Sequence, residues 1–470
     1  MNDEQLQEYS NTSDSLIIAP AGCGKTETIV KASNIVEGKQ LLLTHTNAGV
    51  KSLRDRAKKY NLGYKDVSIS TIASLCLMIS RSYPKICGYD ISEYPQGDEW
   101  NTLCLAGCNF LGSKIGKKVI RVSFDGCFVD EYQDCDIFQH RFIRKLAEII
   151  PCRIAGDPLQ SIFDFQGNIV EWESDVLSEF SLSGKLDYPW RWEKENANLE
   201  LGKWIVEARS YLENGEQINL RDTPDSISWF ENSRRNRNVG YSIGDGGESV
   251  IYLCSSKKVG MAKRRAKDFG GRFNYMERMS FVGLREVCQR LDQTEGYEFA
   301  EVIFDLVKNC VSNVTTEYRT IIKRIENQKT DIVKGLRKHK EVADLFQKVI
   351  ENRSVSHVIT AIEIIRDNTE CNIHRKELLY LFLEILSEAK NTSEKSLIDI
   401  FKGKQQQISK IGREIYYRSI SNPLKIKGLE FDHVILELNE DFTKEQFYVS
   451  ISRPKKSLTI LSDSPEISFA

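Results

Sequence analysis

Short apolar runs alternate with longer amphipathic stretches through the first third of the chain. Ser15–Ala19 (SLIIA) predicts a strand running straight into a Gly-rich turn, and Thr26–Val36 predicts a helix. Gln40–Thr44 (QLLLT) predicts a second strand, followed by a basic helix over Ala48–Tyr60. Val67–Ser70, Gly126–Val129 and Cys152–Ala155 predict three more strands, the second ending in a cluster of acids and the third in Gly156-Asp157. Strands separated by helices imply an α/β fold with a parallel sheet, whose ligands lie at the carboxyl ends of the strands.

The pattern then changes. Arg81–Val119 mixes Gly, Pro and Cys in short stretches and predicts a small insertion, while Glu231–Glu248 is polar and Gly-rich and predicts a loop or long turn. Ser249–Cys254 returns to strand. From Ser280 to about Lys404 the period is almost continuously helical, with few Gly and no Pro, which predicts a helical subdomain inserted in the second half. Val434–Leu438 and Ser457–Leu461 restore the strand pattern.

Composition narrows the class. The chain has 470 residues, 41% hydrophobic and 28% charged, which suits large folded cores and excludes global disorder. Lys plus Arg is 65 and Asp plus Glu is 67, a net charge of -2, so any nucleic-acid surface must be a local basic stripe. No apolar run approaches the roughly 20 residues that span a membrane, and the polar, acidic start MNDEQLQEYS is no signal peptide. The 12 cysteines lack the two close pairs of a zinc or iron–sulfur site and read as buried free thiols in a reducing, cytoplasmic setting.

Two motifs carry the chemistry. Ala19-Pro20-Ala21-Gly22-Cys23-Gly24-Lys25-Thr26 follows a strand and opens a helix, the setting of a phosphate-binding loop. Gly22 and Gly24 let backbone N–H groups close around phosphates, Lys25 reaches the β- and γ-phosphates, and the Thr26 hydroxyl suits Mg²⁺. Asp130-Glu131 ends an apolar strand. Asp130 is placed to hold Mg²⁺, and Glu131 to orient and deprotonate the attacking water. Together they specify an enzyme that hydrolyses a nucleoside triphosphate.

Further residues give a family resemblance. Asp130-Glu131-Tyr132-Gln133-Asp134 resembles the DExQD box of UvrD/Rep-type helicases, the 3′-to-5′ branch of superfamily 1. Gln5 is similar to the adenine-reading Q motif, Thr44-His45-Thr46-Asn47-Ala48 to motif Ia, and Ser70-Thr71-Ile72-Ala73-Ser74-Leu75 to motif Ib. Gly156 to Phe163, with Phe165 and Gly167, resembles motif III, and Trp190-Arg191 stands where motif IV has Tyr-Arg. Lys427-Gly428-Leu429-Glu430-Phe431 resembles motif V, and Tyr448 to Pro454 resembles motif VI.

The resemblance implies two RecA-like lobes, ATP and Mg²⁺ as cofactors, and single-stranded or partly unwound DNA as partner. Ala21, Gly22, Cys23, Gly24, Lys25, Thr26 and Glu27 would line the nucleotide. Gln160 would sense the γ-phosphate, and Arg191 and Arg453 would reach it from the second lobe. Glu430 would bond the ribose or support the phosphate network, and Trp190 would stack on adenine. His45, Thr46, Asn47, Thr71, Phe163 and Phe165 would meet DNA. Departures from the family pattern gather on the DNA side and at the base pocket: Phe165 for Trp, His45 for Phe, Gln166 for Arg, Leu424 for His, and Glu27 for a basic residue.

The implied lobes are residues 1–185, with a reduced insertion near 81–119, and residues 186–279 plus 405–470, with the helical insertion at 280–404. Only 104 residues separate Lys25 from Asp130, and with Ala470 following soon after Arg453 the expectation is a compact form without a partner-docking tail. This compact form resembles the helicase subunit of Gabija-type anti-phage systems, which implies a nuclease partner of the OLD family in a hetero-oligomer. Two activities stay open: a 3′-to-5′ motor in a defence complex or in repair, and a regulatory ATPase subunit with little unwinding.

Overall fold

The computed structural model describes residues 3–92, 95, 97–162, 169–194, 196–244, 247–258, 260–278, 280–392, 395–411 and 416–469. The chain divides into two compact units. The first holds residues 1–227, 443–457 and 466–470, and the second residues 228–442 and 458–465. The first unit therefore runs past residue 185 and takes in Trp190-Arg191 as well as Tyr448 to Arg453.

The first unit is built on a six-stranded sheet of order β3-β2-β4-β5-β1-β6. Its strands are β1 (Ser15–Ile18), β2 (Gln40–Thr44), β3 (Val67–Thr71), β4 (Gly126–Val129), β5 (Cys152–Gly156) and β6 (Ser181–Lys185), and all adjacent pairs are parallel. β1, β2, β4 and β5 are buried along their whole length, as expected of central strands covered on both faces. β6 (SLSGK) has no apolar run and is mostly exposed, because it is one of the two edge strands. Its pairing with β1 shifts register between Leu16 and Ile17. Its polarity hid it from the hydrophobic pattern.

Helices Lys25–Ile35 and Asn47–Lys59 match the predicted elements within one residue at each end. Glu99–Gly112, inside the span predicted as a small insertion, and Lys114–Ser123, which runs past its end, are helices. Leu103, Cys104, Ala106, Phe110 and Leu111 of the first join Leu41, Leu43, Cys127 and Val129 of the sheet in one apolar core. Gly107 makes that packing possible, since a Cβ there would stand 2.8 Å from the Phe142 ring. The cysteines are free; all are buried except Cys108, which is half-buried.

The second unit contains most of a second six-stranded sheet, ordered Asn274–Tyr275, Arg418–Ser421, Val250–Leu253, Phe431–Glu437, Pro454–Ser462, Ile227–Glu231. The first three adjacent pairs are parallel. Between Tyr275 and Arg418 lie the helices Val282–Gln293, Gly296–Cys310, Arg319–Glu326, Lys340–Asn352, Val355–Asp367, Lys376–Asn391 and Leu397–Ile411. They enclose their own core, running in sequence from Phe281 to Phe401, with Phe304 stacked on Phe346 at 4.2 Å. Among the described residues no helix is long and apolar enough to cross a membrane.

Candidate nucleotide site

Every side chain of this site belongs to the first unit. β1 delivers the chain to the loop 19–26, and the helix Lys25–Ile35 begins directly after it. Gly22 and Gly24 have φ of 75° and 88°, a left-handed backbone that glycine adopts without strain. Both are also covered. A Cβ on Gly22 would collide with the Trp192 ring, and one on Gly24 would lie 3.3 Å from the Trp190 ring. The Arg191 N–H donates to the Gly22 carbonyl at 3.0 Å, and the Ala21 N–H donates to the Tyr448 hydroxyl at 3.2 Å. The loop is thus gripped by the segment 190–192 and by the helix Lys444–Ile451.

β4 ends at the acid pair, separated in the sheet from β1 by β5. The buried Lys25 ammonium lies against the Glu131 carboxylate and 3.9 Å from that of Asp130. The Thr26 hydroxyl donates to Asp130 Oδ2 at 2.8 Å. Glu131 has φ 59°, uncommon for a side chain larger than glycine's; such strain gathers where structure holds a group for function. Burial, with the neighbouring Glu131 charge adding, pushes Asp130 up to about 6 against the opposing pull of Lys25 and Thr26. Burial alone would depress Lys25, but Glu131 and Asp130 outweigh it and hold the ammonium above its ordinary value. A buried, proton-hungry carboxylate beside a hydroxyl is a hard-oxygen donor set that fits Mg²⁺.

From the acid pair a polar chain leads to β5. Gln133 Nε2 donates to Glu131 Oε2 at 2.5 Å, and Gln133 Oε1 accepts the Asp157 N–H at 3.0 Å. Asp157, fully buried, accepts from Gln160 Nε2 and from Arg209, each at 2.8 Å. Arg453 donates to Gln160 Oε1 at 3.1 Å and is held by the Val449 carbonyl at 2.8 Å. Arg191 donates to the Ser452 carbonyl at 2.7 Å, and Trp192 Nε1 to the Pro454 carbonyl at 2.7 Å.

The predicted residues divide accordingly. Ala21 to Thr26, Asp130, Glu131, Gln160, Arg191, Arg453 and Trp190 come together. Trp190 is 54% exposed, its indole open beside the loop and tilted against Tyr188 at 4.4 Å. Glu27 faces the next helix, paired with Lys59 at 2.9 Å, Tyr60 at 2.5 Å and Arg56 at 3.5 Å. Burial raises its carboxyl, but the Tyr60 and Lys59 hydrogen bonds prevail and hold it low. Gln5 lies exposed on the helix Asp3–Asn11, and Glu430 lies exposed in the second unit.

Of the residues expected to meet DNA, Thr46 and Thr71 cap the helices Asn47–Lys59 and Ile72–Ser82 with their side-chain oxygens. Asn47 is exposed, and His45 Nε2 lies 3.3 Å from Cys135 Sγ. Phe163 and Phe165 lie outside the described residues.

Sequence reasoning gave no role to Gln133, Asp157, Arg209 or Tyr448. Arg209 had a signal: it is a charge on the face of the helix Leu199–Asn214 whose other members, Leu201, Ile205, Ala208 and Leu212, are buried.

Fold and loop are those of the P-loop nucleoside-triphosphatase class: a parallel α/β sheet with a phosphate cradle after one strand and an acid pair after another. Residues 2–166 match the family model described as an AAA domain. No curated protein matches the chain. Among solved structures, the chain is similar to the arterivirus nonstructural protein 10, a helicase. Identity is 10%, covering 97% of this chain and 61% of that one, with a TM-score of 0.36. The complex of that protein with DNA gives 9% identity, 97% and 63% coverage, and a TM-score of 0.36. A Pif1 helicase from a study of forked duplex unwinding gives 11% identity, 99% and 92% coverage, and a TM-score of 0.38. The chain thus spans under two thirds of the length of the viral protein. At these similarities no residue role transfers, and the geometry of the site stands on its own.

Proposed function

We propose that the chain is an ATP-driven DNA motor of the superfamily 1 helicase type. The observation that carries the reading is the unbroken polar chain from Lys25 through Glu131, Gln133, Asp157 and Gln160 to Arg453. It joins the groups that bind phosphate, activate water and stabilise transferring charge.

The chemistry follows from those positions. Loop N–H groups and Lys25 bind the β- and γ-phosphates of ATP. Thr26 and Asp130 would hold Mg²⁺, which supplies neutralisation of phosphate charge when bound. Lys25 lies against Glu131 here; an arriving phosphate competes for that ammonium and frees the carboxylate to accept a proton from water attacking the γ-phosphorus. ADP leaves as the bond to its β-phosphate oxygen breaks. Arg453 and Arg191 carry fixed guanidinium charge for the oxygens that gain it, and Gln160 ties Arg453 to the sheet.

Within this reading the finer assignments are a UvrD/Rep-type motor with 3′-to-5′ polarity, two RecA-like lobes with the helical insertion at 280–404, and Trp190 stacking on adenine. The setting we favour is a Gabija-like anti-phage complex with a nuclease partner. The motif order in the sequence supports the UvrD/Rep-type assignment, and the short spacing of 104 residues between Lys25 and Asp130 supports the compact form on which the setting rests. A specific observation favours the second reading, a regulatory ATPase with little unwinding: the departures from the family pattern gather on the DNA side, with His45 for Phe, Phe165 for Trp and Gln166 for Arg. One experiment separates the readings. ATPase stimulated by single-stranded DNA, with unwinding of forks bearing a 3′ but not a 5′ loading strand, supports the motor. Stimulated ATPase without unwinding on either fork supports the regulator. No ATPase at all overturns both.

A further inference from the structure

Arg209 belongs to none of the motifs in the sequence, yet it lies at the centre of the polar chain. Its side chain is buried on the helix Leu199–Asn214. One terminal nitrogen pairs with Asp157 Oδ1 at 2.8 Å and the other with Glu213 at 2.7 Å. The guanidinium also stands 5.9 Å from the ring of Tyr448, whose hydroxyl accepts the Ala21 N–H of the phosphate loop. Burial pulls Arg209 down, but Asp157, Tyr448 and Glu213 together outweigh it, so the cation is strongly held. Asp157 is fully buried, and a carboxylate in that position needs a counter-charge within hydrogen-bond reach.

The second oxygen of Asp157 does the remaining work. It accepts from Gln160 Nε2 and thereby fixes which end of the amide faces Arg453: the carbonyl oxygen, which accepts from Arg453 at 3.1 Å. An amide turned the other way would set N–H donors against a guanidinium that can only donate.

We propose that Arg209 is a positioning residue of the nucleotide site: through Asp157 it fixes the polarity of the Gln160 amide and so the place of Arg453, which lets the site distinguish ATP from ADP. The inference rests on the nucleotide-site reading above and deepens it. It assigns Arg209 no contact with nucleotide.

The test uses the full chain. In Arg209→Lys the charge stays but one ammonium cannot serve Asp157 and Glu213 with the planar fork. Its preference for a non-hydrolysable ATP analogue over ADP should fall about tenfold, with kcat falling similarly and ADP affinity nearly unchanged. Arg209→Met/Asp157→Leu removes both charges, so no lone buried ion remains to unfold the chain. It should melt near the wild type and still lack the preference. Because Arg209 acts through Gln160, Arg209→Lys should add nothing to Gln160→Ala, the non-additivity of one pathway.

Three outcomes overturn the proposal. These are an intact ATP preference in Arg209→Lys, recovery of that preference in the double variant, or effects that add to those of Gln160→Ala. The last two would make Arg209 a purely structural ion pair. A wild type that binds neither nucleotide overturns the site reading and this inference together, whereas a wild-type preference that survives in the variants overturns the inference alone.

Discussion

In the helical span of the second unit, apolar side chains at helical spacing from Phe281 to Phe401 share one core. In the first unit the nucleotide site draws Lys25, Glu131, Asp157, Arg191, Arg209 and Arg453 from distant segments and buries most of their charge. The helical span is held by area removed from water, which is additive and forgiving of exact geometry. The site is held by pairing, in which removing one partner strands another. The first arrangement should therefore tolerate substitution in proportion to volume lost, and the second should fail group by group.

The largest expected effect lies in the site. Glu131→Gln keeps its shape but cannot take a proton, so steady-state ATPase should drop by about 10²–10⁴-fold while nucleotide binding persists. Turnover within a few-fold of wild type would remove Glu131 as the base. Lys25→Ala should abolish both turnover and tight binding, since no second lysine lies in the loop. Retained ATPase there would move the site elsewhere.

Next comes a substitution on the apolar side of the comparison. Phe304→Ala opens a cavity beside Phe346 and should cost about 3–5 kcal/mol in urea unfolding of the second unit. Nucleotide affinity should stay at the wild-type value. A lost affinity would show that the two regions are not independent.

Acid separates the regions by sign. Burial, with the Arg375 charge adding, pushes His374 of the second unit down to about 4 from an ordinary 6.5. The fold keeps that imidazole neutral, so its contribution is intact above pH 6.5 and is lost as pH falls toward 4, about 3 kcal/mol in all. Asp130 runs the other way. Raised to about 6 from 3.8, it burdens the fold above pH 6, and the burden lifts as pH falls toward 3.8. Melting curves from pH 7 to 4.5 should show a smaller acid loss in His374→Leu and a larger one in Asp130→Asn. Equal slopes in both variants would contradict these assignments.

The smallest effect belongs to Trp190. With its indole open to solvent beside Gly24, Trp190→Ala should weaken adenine nucleotide binding by about 1 kcal/mol and leave melting unchanged. Unaltered affinity would place the base elsewhere.

What could be read in advance follows the same division. The strands Gln40–Thr44 and Gly126–Val129 were legible to the residue, because a buried central strand is a bare apolar run between breakers. The loop and acid pair were legible because local chain geometry makes them. β6 was not, since an edge strand needs no apolar run and its partner is chosen in space. Glu99–Gly112, read as part of an insertion, packs into the main core because its apolar residues meet a sheet distant in sequence. The roles of Asp157 and Arg209 were hidden for a further reason: each has a bland local reading, as a turn acid and a helix charge, until they are paired.

The sequence by itself determined the α/β alternation, the helical span, the glycine-rich loop and the acid pair at a strand end, because each depends on residues close to one another in the chain. Only the tertiary structure decided that Tyr448 grips the loop, that Gln133 bridges Glu131 to Asp157, and that Arg209 stands behind Gln160. Apart from the step between Glu131 and Gln133, those contacts join positions tens to hundreds of residues apart. Burying a charge or polar group costs free energy, and each of these contacts offsets that cost by supplying a partner, a pairing that strengthens only once the core has excluded water.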